Sequence, residues 1–195
     1  MKTPTLQTER LVLRPISLDD APAVQKYFND WDIIKYMGVS VPWPYPEDGA
    51  LTHIRDHILP QTASEDWHVW AITLKNGNYE AIGMVNFRIT PTQDGNRGFW
   101  LAKPYHGRGI MTEAIYSING FVFNVLEIDK FIVSNVKNNV ASRRVKQKTG
   151  ATFLREERAI HHNGEGIAQI WEITKEDWLK HHIIAMDKFG ASDIA

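Results

Sequence analysis

Alternating apolar and polar residues in the first half of the chain predict a set of antiparallel strands. Residues 6–14 follow the two-residue period of a strand, which Pro15 ends. Two apolar runs at 67–74 and 79–89 enclose Asn76-Gly77, a dipeptide typical of tight hairpin turns. These segments therefore predict a first strand and, later, a β-hairpin.

The second half of the chain alternates strand and helix patterns. A short apolar run at 98–102 predicts a buried strand that stops before Pro104, because proline cannot donate to a sheet ladder. Apolar residues recur at helical spacing over 110–126, and a strand pattern follows at 130–136. Strand, helix and strand in that order form a βαβ crossover, so we expect these two strands to be parallel. The other predicted segments are helices at 17–28, 31–37, 46–59 and 140–148 and strands at 152–159 and 167–174.

The composition favours one globular unit. The 195 residues include 43% hydrophobic residues and seven Trp, enough for one core, so we expect one domain at 1–180 and a C-terminal tail at 181–195. A formal net charge of −1, from 22 basic and 23 acidic residues, gives no nucleic-acid footprint. The absence of cysteine excludes disulfides, cysteine metal sites and a cysteine acyl-enzyme.

Two further features exclude classes of site. No run of about 18 apolar residues and no secretory signal pattern is present, which predicts a cytoplasmic protein that does not associate with membranes. His53 and His57 stand four residues apart on a predicted helix, a spacing that suits metal ligands. Ile54 stands where a zinc-hydrolase motif has Glu, so we expect an exposed histidine pair and no metal.

The most informative stretch is the glycine turn His106-Gly107-Arg108-Gly109, which lies between the strand at 98–102 and the helix that begins at Ile110. Glycine brings bare backbone close to a ligand, and a helix N-terminus presents unpaired N–H groups and a positive dipole end. This arrangement predicts an anion site, although it also occurs in α/β proteins that bind nothing there. The turn lacks the Lys-Ser/Thr of a P-loop and the third glycine of the dinucleotide fingerprint.

The segment at 106–111 resembles the acyl-CoA loop of the GNAT superfamily of N-acetyltransferases, whose pattern is Gln/Arg-x-x-Gly-x-Gly/Ala. His106 and Met111 are its two departures from that pattern. The segment at 139–151 resembles the Asn-x-x-Ser-x-x-x-x-x-Lys-x-Gly-Phe segment of the RimJ/RimL-like branch, which contains the ribosomal-protein N-terminal acetyltransferases. Residues 6–14 and 43–46 are similar to that branch too, and the four segments cover nearly the whole chain.

This resemblance implies an α/β fold of the GNAT type, a mixed, mostly antiparallel sheet with splayed central parallel strands, flanked by helices. It also implies that backbone N–H groups of the turn hold the pyrophosphate of acetyl-CoA, and that backbone groups of the preceding strand end pair with the pantetheine arm. The residues expected to bind acetyl-CoA are Leu101, Ala102, His106, Gly107, Arg108, Gly109, Ile110, Met111, Asn139 and Ser142.

Asn139 and Ser142 lie three residues apart at a helix start and share one face. The resemblance implies catalytic roles, with Ser142 near the thioester sulfur and Asn139 near the pantetheine; alternatively, Asn139 simply caps its helix. Lys146 occupies the position of the tyrosine that donates a proton to the thiolate in many GNAT enzymes. Asn96 occupies the position of a frequent glutamate, so the proton donor and the base have no assigned residue.

The predicted function is transfer of an acetyl group from acetyl-CoA to a primary amine by direct attack in a ternary complex. A protein N-terminal α-amine is favoured, because its pKa of about 8 leaves a neutral fraction that a lysine amine at about 10.4 lacks. Trp43 and Tyr45 are the predicted acceptor-binding residues. The alternatives are a small-molecule amine acceptor, a non-catalytic acyl-CoA-binding domain and a nucleotide-binding module. We expect a monomer or a homodimer.

Overall fold

The structure is a computed structural model that describes residues 1–93, 95–162 and 164–181. Within those residues eight strands form one sheet in the order β1-β2-β3-β4-β5-β6-β8-β7. The strands are β1 Leu6–Gln7, β2 Leu11–Pro15, β3 Trp67–Leu74, β4 Gly83–Thr92, β5 Gly95–Leu101, β6 Lys130–Val136, β7 Thr152–His161 and β8 Gly164–Thr174.

Six α-helices connect these strands in the described residues. They are α1 Ala21–Phe28, α2 Trp31–Ile34, α3 Gly49–His53, α4 Leu59–Thr62, α5 Ile110–Asn124 and α6 Val140–Lys148. A π-helical turn, Ile54–Ile58, joins α3 to α4, so the helix expected at 46–59 is a continuous helical segment at 49–62. In this part of the chain no helix is both long and apolar enough to cross a membrane.

The predicted hairpin is confirmed, and the predicted first strand is two strands. β3 and β4 pair antiparallel, but β4 begins at Gly83 rather than at position 79. A turn interrupts the alternation at residues 8–10, where the Thr8 N–H donates to the Leu11 carbonyl at 3.0 Å. β1 therefore folds back antiparallel on β2. Alternation alone does not predict this turn, because Arg10 is held by a side chain from α5, far away in the sequence.

Two hydrophobic cores lie on the two faces of the sheet. Trp70 and Ile72 of β3 pack into the core that α5 covers, whereas their neighbours Val69 and Ala71 pack into the core beneath α1 and the 49–62 segment. Successive side chains of a strand point to opposite faces, so β3 is buried along nearly its whole length and is mostly apolar, with His68 and Thr73 as its polar residues. The two cores hold the sheet between helical layers and fix the position of its central strands.

Strands β5 and β6 meet at one end and separate beyond it. Their ladder has a single residue pair, Gly95 with Val133, and this pair is antiparallel, which corrects the parallel ladder expected there. Gly95 has φ +94°, so the chain is still turning at the contact, and a Cβ at this position would lie 2.5 Å from the Ile132 carbonyl oxygen. In the described residues the facing edges of the two strands are otherwise unpaired. The gap between them opens into a large cavity.

Of the tail expected at 181–195, residues 182–195 lie outside the described residues. The described chain ends with a helical stretch at 175–181, in which Trp178 packs its ring 5.4 Å from that of Phe123 on α5.

Candidate active site

A cavity of about 1400 Å³ lies where β5 and β6 separate. It exceeds the 300–1,000 Å³ typical of a site for one small ligand, so it can take an extended cofactor arm together with a second molecule. Two walls enclose it. The β5–α6 wall includes Arg97, Phe99, Leu101, His106, Gly107, Gly109, Ile110, Met111, Asn139, Ser142 and Lys146. The loop wall includes Asp32, Tyr36, Met37, Gly38, Val39, Ser40, Arg158, Ile160 and His161.

The glycine turn delivers the N-terminus of α5 to the cavity. Gly107 and Gly109 have φ angles of +74° and +76°, and Gly109 is the residue that precedes the first turn of α5. A Cβ at Gly107 would meet nothing within 4 Å, so backbone conformation, and not crowding by the protein, selects glycine there. The first N–H groups of a helix have no partner within the helix. The geometry therefore fits the anion site predicted from the sequence.

An ion pair braces this turn from the first strands. The Glu113 carboxylate on α5 accepts from Arg10 Nε at 2.6 Å, from the Arg10 N–H at 2.9 Å and from Thr8 Oγ1 at 2.5 Å. Arg10 also donates through Nη1 to the Arg108 carbonyl at 2.9 Å, inside the turn. Thr8, Arg10 and Glu113 thus fix the turn to α5. The sequence interpretation missed this role, although Thr8 and Arg10 belong to a segment that it singled out.

The edge of β5 that faces the gap offers backbone groups to a ligand. The Ala102 N–H donates to the Ile82 carbonyl of the segment leading into β4 at 2.8 Å. In an antiparallel ladder alternate residues point to opposite edges, so the N–H groups of Phe99 and Leu101 point away from β4. His106 Nε2 lies 2.7 Å from the Leu101 carbonyl oxygen. Of the expected pantetheine partners, Leu101 therefore faces the gap, whereas the Ala102 N–H is already bonded to the sheet.

His106 and Arg108 differ from the other predicted cofactor residues in where they lie. His106 lines the cavity and contacts the strand end, so it supports the turn. The Arg108 guanidinium lies 5.7 Å from the Tyr105 ring centroid, and Arg108 is not among the lining residues. Ala102 is likewise outside the lining, whereas Ile110 and Met111 are within it.

Asn139 and Ser142 stand together at the N-terminus of α6 on the cavity wall. The Asn139 Oδ1 accepts from the Ser142 N–H at 3.0 Å, which is the geometry of an N-cap. The expected cap is therefore present, and both side chains also line the cavity. The two interpretations of Asn139 are compatible, because an N-cap side chain has a second oxygen lone pair and an NH2 group.

Lys146 and Arg97 place two buried cationic side chains behind this wall. Lys146 is 1% exposed and donates through Nζ to Ser142 Oγ at 2.9 Å. Burial, and then the charge of Arg97, lower the pKa of Lys146 well below its ordinary value. Arg97 is 6% exposed and donates to Asn119 Oδ1 at 2.5 Å, and burial lowers its pKa to about 9. Neither has a carboxylate partner among the described residues.

Asn96 is a structural residue. Its Oδ1 accepts from the Ile132 N–H at 2.9 Å, and its Nδ2 donates to the carbonyls of Arg88 at 2.9 Å and Ile89 at 3.2 Å. These bonds join β4, β5 and β6 at the closed end of the gap. With its amide engaged on both sides, Asn96 is not available as a base.

The predicted acceptor residues Trp43 and Tyr45 do not line the cavity. Tyr45 packs in the second core with its ring 5.3 Å from that of Phe28, and burial raises its pKa to about 12. Trp43 is half-exposed and its ring lies 5.1 Å from that of Trp31. The residues of this region that do line the cavity come earlier, at 36–40.

The loop wall is held by contacts with the end of β7. The sequence predicted a strand at 152–159 but not these contacts. Gly38 forms an antiparallel bridge with His161, and His162 Nε2 lies 2.6 Å from the Val41 carbonyl oxygen. The Gly-Val-Ser sequence at 38–40 gave no periodic signal, so only the tertiary pairing reveals its position.

The acidic side chains near the loop wall are already paired. Lys103 and Lys35 hydrogen-bond Asp32 and lower its pKa to about 2. Glu157 accepts from Arg155 Nε at 2.6 Å. His53 and His57 lie with ring centroids 5.5 Å apart, and the described residues contain no group of three potential metal ligands. The cavity therefore presents no free carboxylate among the residues that the structure describes.

Comparison with known proteins gives matches along most of the chain. The model of a family described as acetyltransferase (GNAT) domain matches residues 10–152. The uncharacterized N-acetyltransferase p20 of Bacillus licheniformis is 25% identical over 154 residues, which cover 78% of this chain and 83% of that protein.

Two solved structures share the fold. RimL, the ribosomal L7/L12 alpha-N-protein acetyltransferase in complex with coenzyme A, has a TM-score of 0.73 at 17% identity and covers 88% of this chain and 98% of its own. The microcin C7 self-immunity acetyltransferase MccE, in complex with acetyl-CoA and AMP, has a TM-score of 0.73 at 18% identity, over 86% of this chain and 93% of its own.

Proposed function

We propose that this chain, which belongs to the GNAT acetyltransferase family and is an acetyl-CoA-dependent acyltransferase, acetylates the free α-amine of a protein or peptide. The amine attacks the thioester directly while both substrates occupy the cavity. No acyl-enzyme on cysteine is possible, because the sequence contains none.

The β5–α6 wall supplies the acetyl-CoA site. The residues suited to the pyrophosphate are the turn glycines Gly107 and Gly109 with the first N–H groups of α5. The edge of β5 near Leu101 would pair with the pantetheine arm in the gap beside β6. Ser142 and Asn139 stand where the reactive end of that arm would lie between the two walls.

The class of acceptor is inferred from one observation: among the described residues, the cavity has no free carboxylate that could act as a base. Asp32 is held ionised by two lysines, and Asn96 is engaged in the sheet. An acceptor must therefore arrive with a substantial neutral fraction. A α-amine, with an ordinary pKa of about 8, has this fraction at neutral pH, whereas a lysine side chain at about 10.4 is almost fully protonated.

Similarity to RimL, an alpha-N-protein acetyltransferase, supports the same acceptor class. The fold is shared with MccE, a self-immunity acetyltransferase, so the test also includes small-molecule amines, the alternative acceptor class.

The test is thiol release from acetyl-CoA in the presence of three acceptor sets. These are peptides with free N-termini and no lysine, the same peptides with a blocked N-terminus and one added lysine, and small-molecule amines. Because the chain contains no cysteine, a thiol reagent detects only the CoA product. We expect release with the first set alone. Release with only the second or the third set contradicts the α-amine proposal.

A further inference from the structure

The side chain of Lys146 is buried directly behind the hydroxyl that faces the cavity. Lys146 lies one helical turn after Ser142, so both project from the same side of α6. Its Nζ donates to Ser142 Oγ at 2.9 Å. Lys146 is 1% exposed, whereas Ser142 is only partly buried. Any proton that passes between Lys146 and a ligand beside α6 has a direct route through this hydroxyl.

The surroundings of Lys146 are cationic and apolar. Arg97 on β5 is the charged group whose field acts on it, and the Phe99 ring centroid, also on β5, lies 5.4 Å from Nζ. Arg97 Nε and Nη2 are buried without a hydrogen-bond partner in the described structure. Buried charges in proteins are ordinarily paired. Two adjacent buried cationic side chains with no carboxylate partner in the described part of the chain, at the wall of a ligand cavity, thus indicate a place where negative charge develops on the ligand.

Acetyl transfer develops negative charge first on the thioester oxygen and then on the sulfur that leaves as CoA thiolate, and the thiolate is the group that takes up a proton. We propose that Lys146 supplies the proton that this thiolate takes up, with the Ser142 hydroxyl as the relay. The proposal rests on the acetyl-CoA site assigned above but not on the identity of the acceptor.

The atoms and electrons of this step balance. The acceptor nitrogen forms a bond to the thioester carbon, and the carbon–sulfur bond breaks with its electron pair going to sulfur. Sulfur takes the hydroxyl proton of Ser142, and Ser142 takes a proton from the Lys146 ammonium. The new amide nitrogen loses its extra proton to solvent. Lys146 is left as a neutral amine and regains a proton from solvent after CoA departs.

The electrostatics of the site suit this role. An acid transfers its proton best when its pKa lies near the working pH. Burial and Arg97 lower the pKa of Lys146 well below its ordinary value, which brings the ammonium closer to that condition. Because the protonated form is the active one, turnover should fall as the pH rises through the pKa of Lys146.

The first test measures the CoA thiol and not the reaction. CoA is titrated by the ultraviolet absorbance of its thiolate, free and bound, with desulfo-CoA as the blank. The protein has no cysteine, so the thiolate signal belongs to CoA. We expect the pKa of the bound thiol to fall by about 1–3 units beside the cation. Lys146→Met should remove the shift, and Lys146→Arg should keep it.

The second test measures turnover with the best acceptor found. Lys146→Met should lower the turnover number about 100-fold, the usual contribution of a general acid. Lys146→Arg should be similarly slow, because a guanidinium holds its proton. The turnover number of this variant should no longer fall as the pH rises into the alkaline range. Lys130→Met is the matched control, since Lys130 is exposed at the far end of β6, and it should behave as wild type.

The outcomes separate this proposal from the proposed function. An identical thiol titration in wild type and Lys146→Met overturns it, and so does an unchanged turnover number. If wild-type protein does not bind CoA, the acetyl-CoA site is wrong and the proposal falls with it. If the thiol shift depends on Lys146 but only amines other than α-amines are acetylated, the acceptor is wrong and the role of Lys146 stands.

Discussion

Two arginines beside the same cavity differ in how their charge is balanced. Arg10 is about half-exposed and is held by the Glu113 carboxylate in a fork of hydrogen bonds, with one further bond to the Arg108 carbonyl. Arg97 is almost fully buried and hydrogen-bonds the Asn119 amide, it has no carboxylate partner among the described residues, and its charge acts on Lys146.

The difference shows what each charge does. An arginine with its carboxylate in place is electrically satisfied, so Arg10 and Glu113 hold the backbone of the glycine turn and need no ligand. A buried cation without a counter-charge costs stability, and a fold that retains two of them gains something other than stability. In the proposed reaction Arg10 therefore has a positioning role at the glycine turn, whereas Lys146, with Arg97 beside it, is the proposed cationic site for the leaving sulfur.

The largest expected effect is on the cationic site. Ser142→Ala removes the hydroxyl between Lys146 and the cavity, so we expect the turnover number to fall about 100-fold with little change in the KM for acetyl-CoA. Steady-state kinetics with both substrates varied separates the two constants. Ser64→Ala, at an exposed serine whose hydroxyl donates to the Gln61 carbonyl, is the control. A normal turnover number in Ser142→Ala removes Ser142 from the chemistry.

Protein stability gives the next test of the same site. At a pH at which Lys146 is protonated in the folded protein, Lys146→Met should stabilise the fold by about 2 kcal/mol, because an apolar side chain of similar volume replaces an unpaired buried cation. The folded pKa of Lys146 lies below its unfolded value of about 10.4, so the unfolded state binds more protons between the two. The penalty is thus complete below the folded pKa and disappears as the pH rises toward 10.4.

Denaturant unfolding of wild type and Lys146→Met across this pH range measures the difference in free energy of unfolding. The difference in free energy of unfolding should be largest at the acidic end of the range and should decrease as the pH rises. A difference that increases with rising pH contradicts the assignment of Lys146 as a cation with a lowered pKa.

A smaller effect is expected at the ion pair between Arg10 and Glu113. Glu113→Gln keeps the size of the side chain but loses the charge that holds Arg10, so the affinity for acetyl-CoA should fall about tenfold, or about 1.4 kcal/mol. Isothermal titration with acetyl-CoA measures this. Glu80→Gln, which removes an acid paired with Lys26 on another part of the surface, should leave the affinity unchanged. A fall in turnover number without a change in affinity contradicts the positioning role of Glu113.

The smallest effect concerns the stability of α6, the helix that carries Ser142 and Lys146. Asn139→Ala removes the N-cap of α6 and should cost about 1 kcal/mol of folding free energy, whereas Asn139→Asp keeps the cap and most of the stability. If Asn139 also binds the cofactor, Asn139→Asp should still weaken acetyl-CoA binding although it folds normally. Binding equal to wild type in Asn139→Asp leaves Asn139 with the cap alone.

Sequence patterns predicted the β5–α6 wall well because its elements are local. The strand at Lys130–Val136 and the helix at Val140–Lys148 agree with their predicted bounds, since each has a clear period between turn signals. The glycine turn was predictable because glycine is the residue that adopts a left-handed backbone without steric cost, and Gly107 and Gly109 both have positive φ. The N-cap of Asn139 was likewise a matter of a few neighbouring residues.

The features that sequence patterns did not predict depend on distant partners. In the sequence, Lys146 belongs to a basic cluster of the kind that usually forms a solvated helix face. Its burial depends on packing of α6 near β5, the strand that carries Arg97 and Phe99. The loop wall needs Gly38 to pair with His161, far along the chain. The family resemblance implies an acceptor-binding role for the loop that contains Trp43 and Tyr45, but Tyr45 packs against Phe28 in the second core.

The most direct test of the proposed acceptor uses one peptide that carries both a free N-terminus and a lysine. The peptide is incubated with the protein and acetyl-CoA, and tandem mass spectrometry locates the acetyl group. The structure, with its paired acids and engaged Asn96, predicts acetylation at the N-terminal nitrogen alone. Acetylation of the lysine side chain would show that the site activates a protonated amine and would contradict the account.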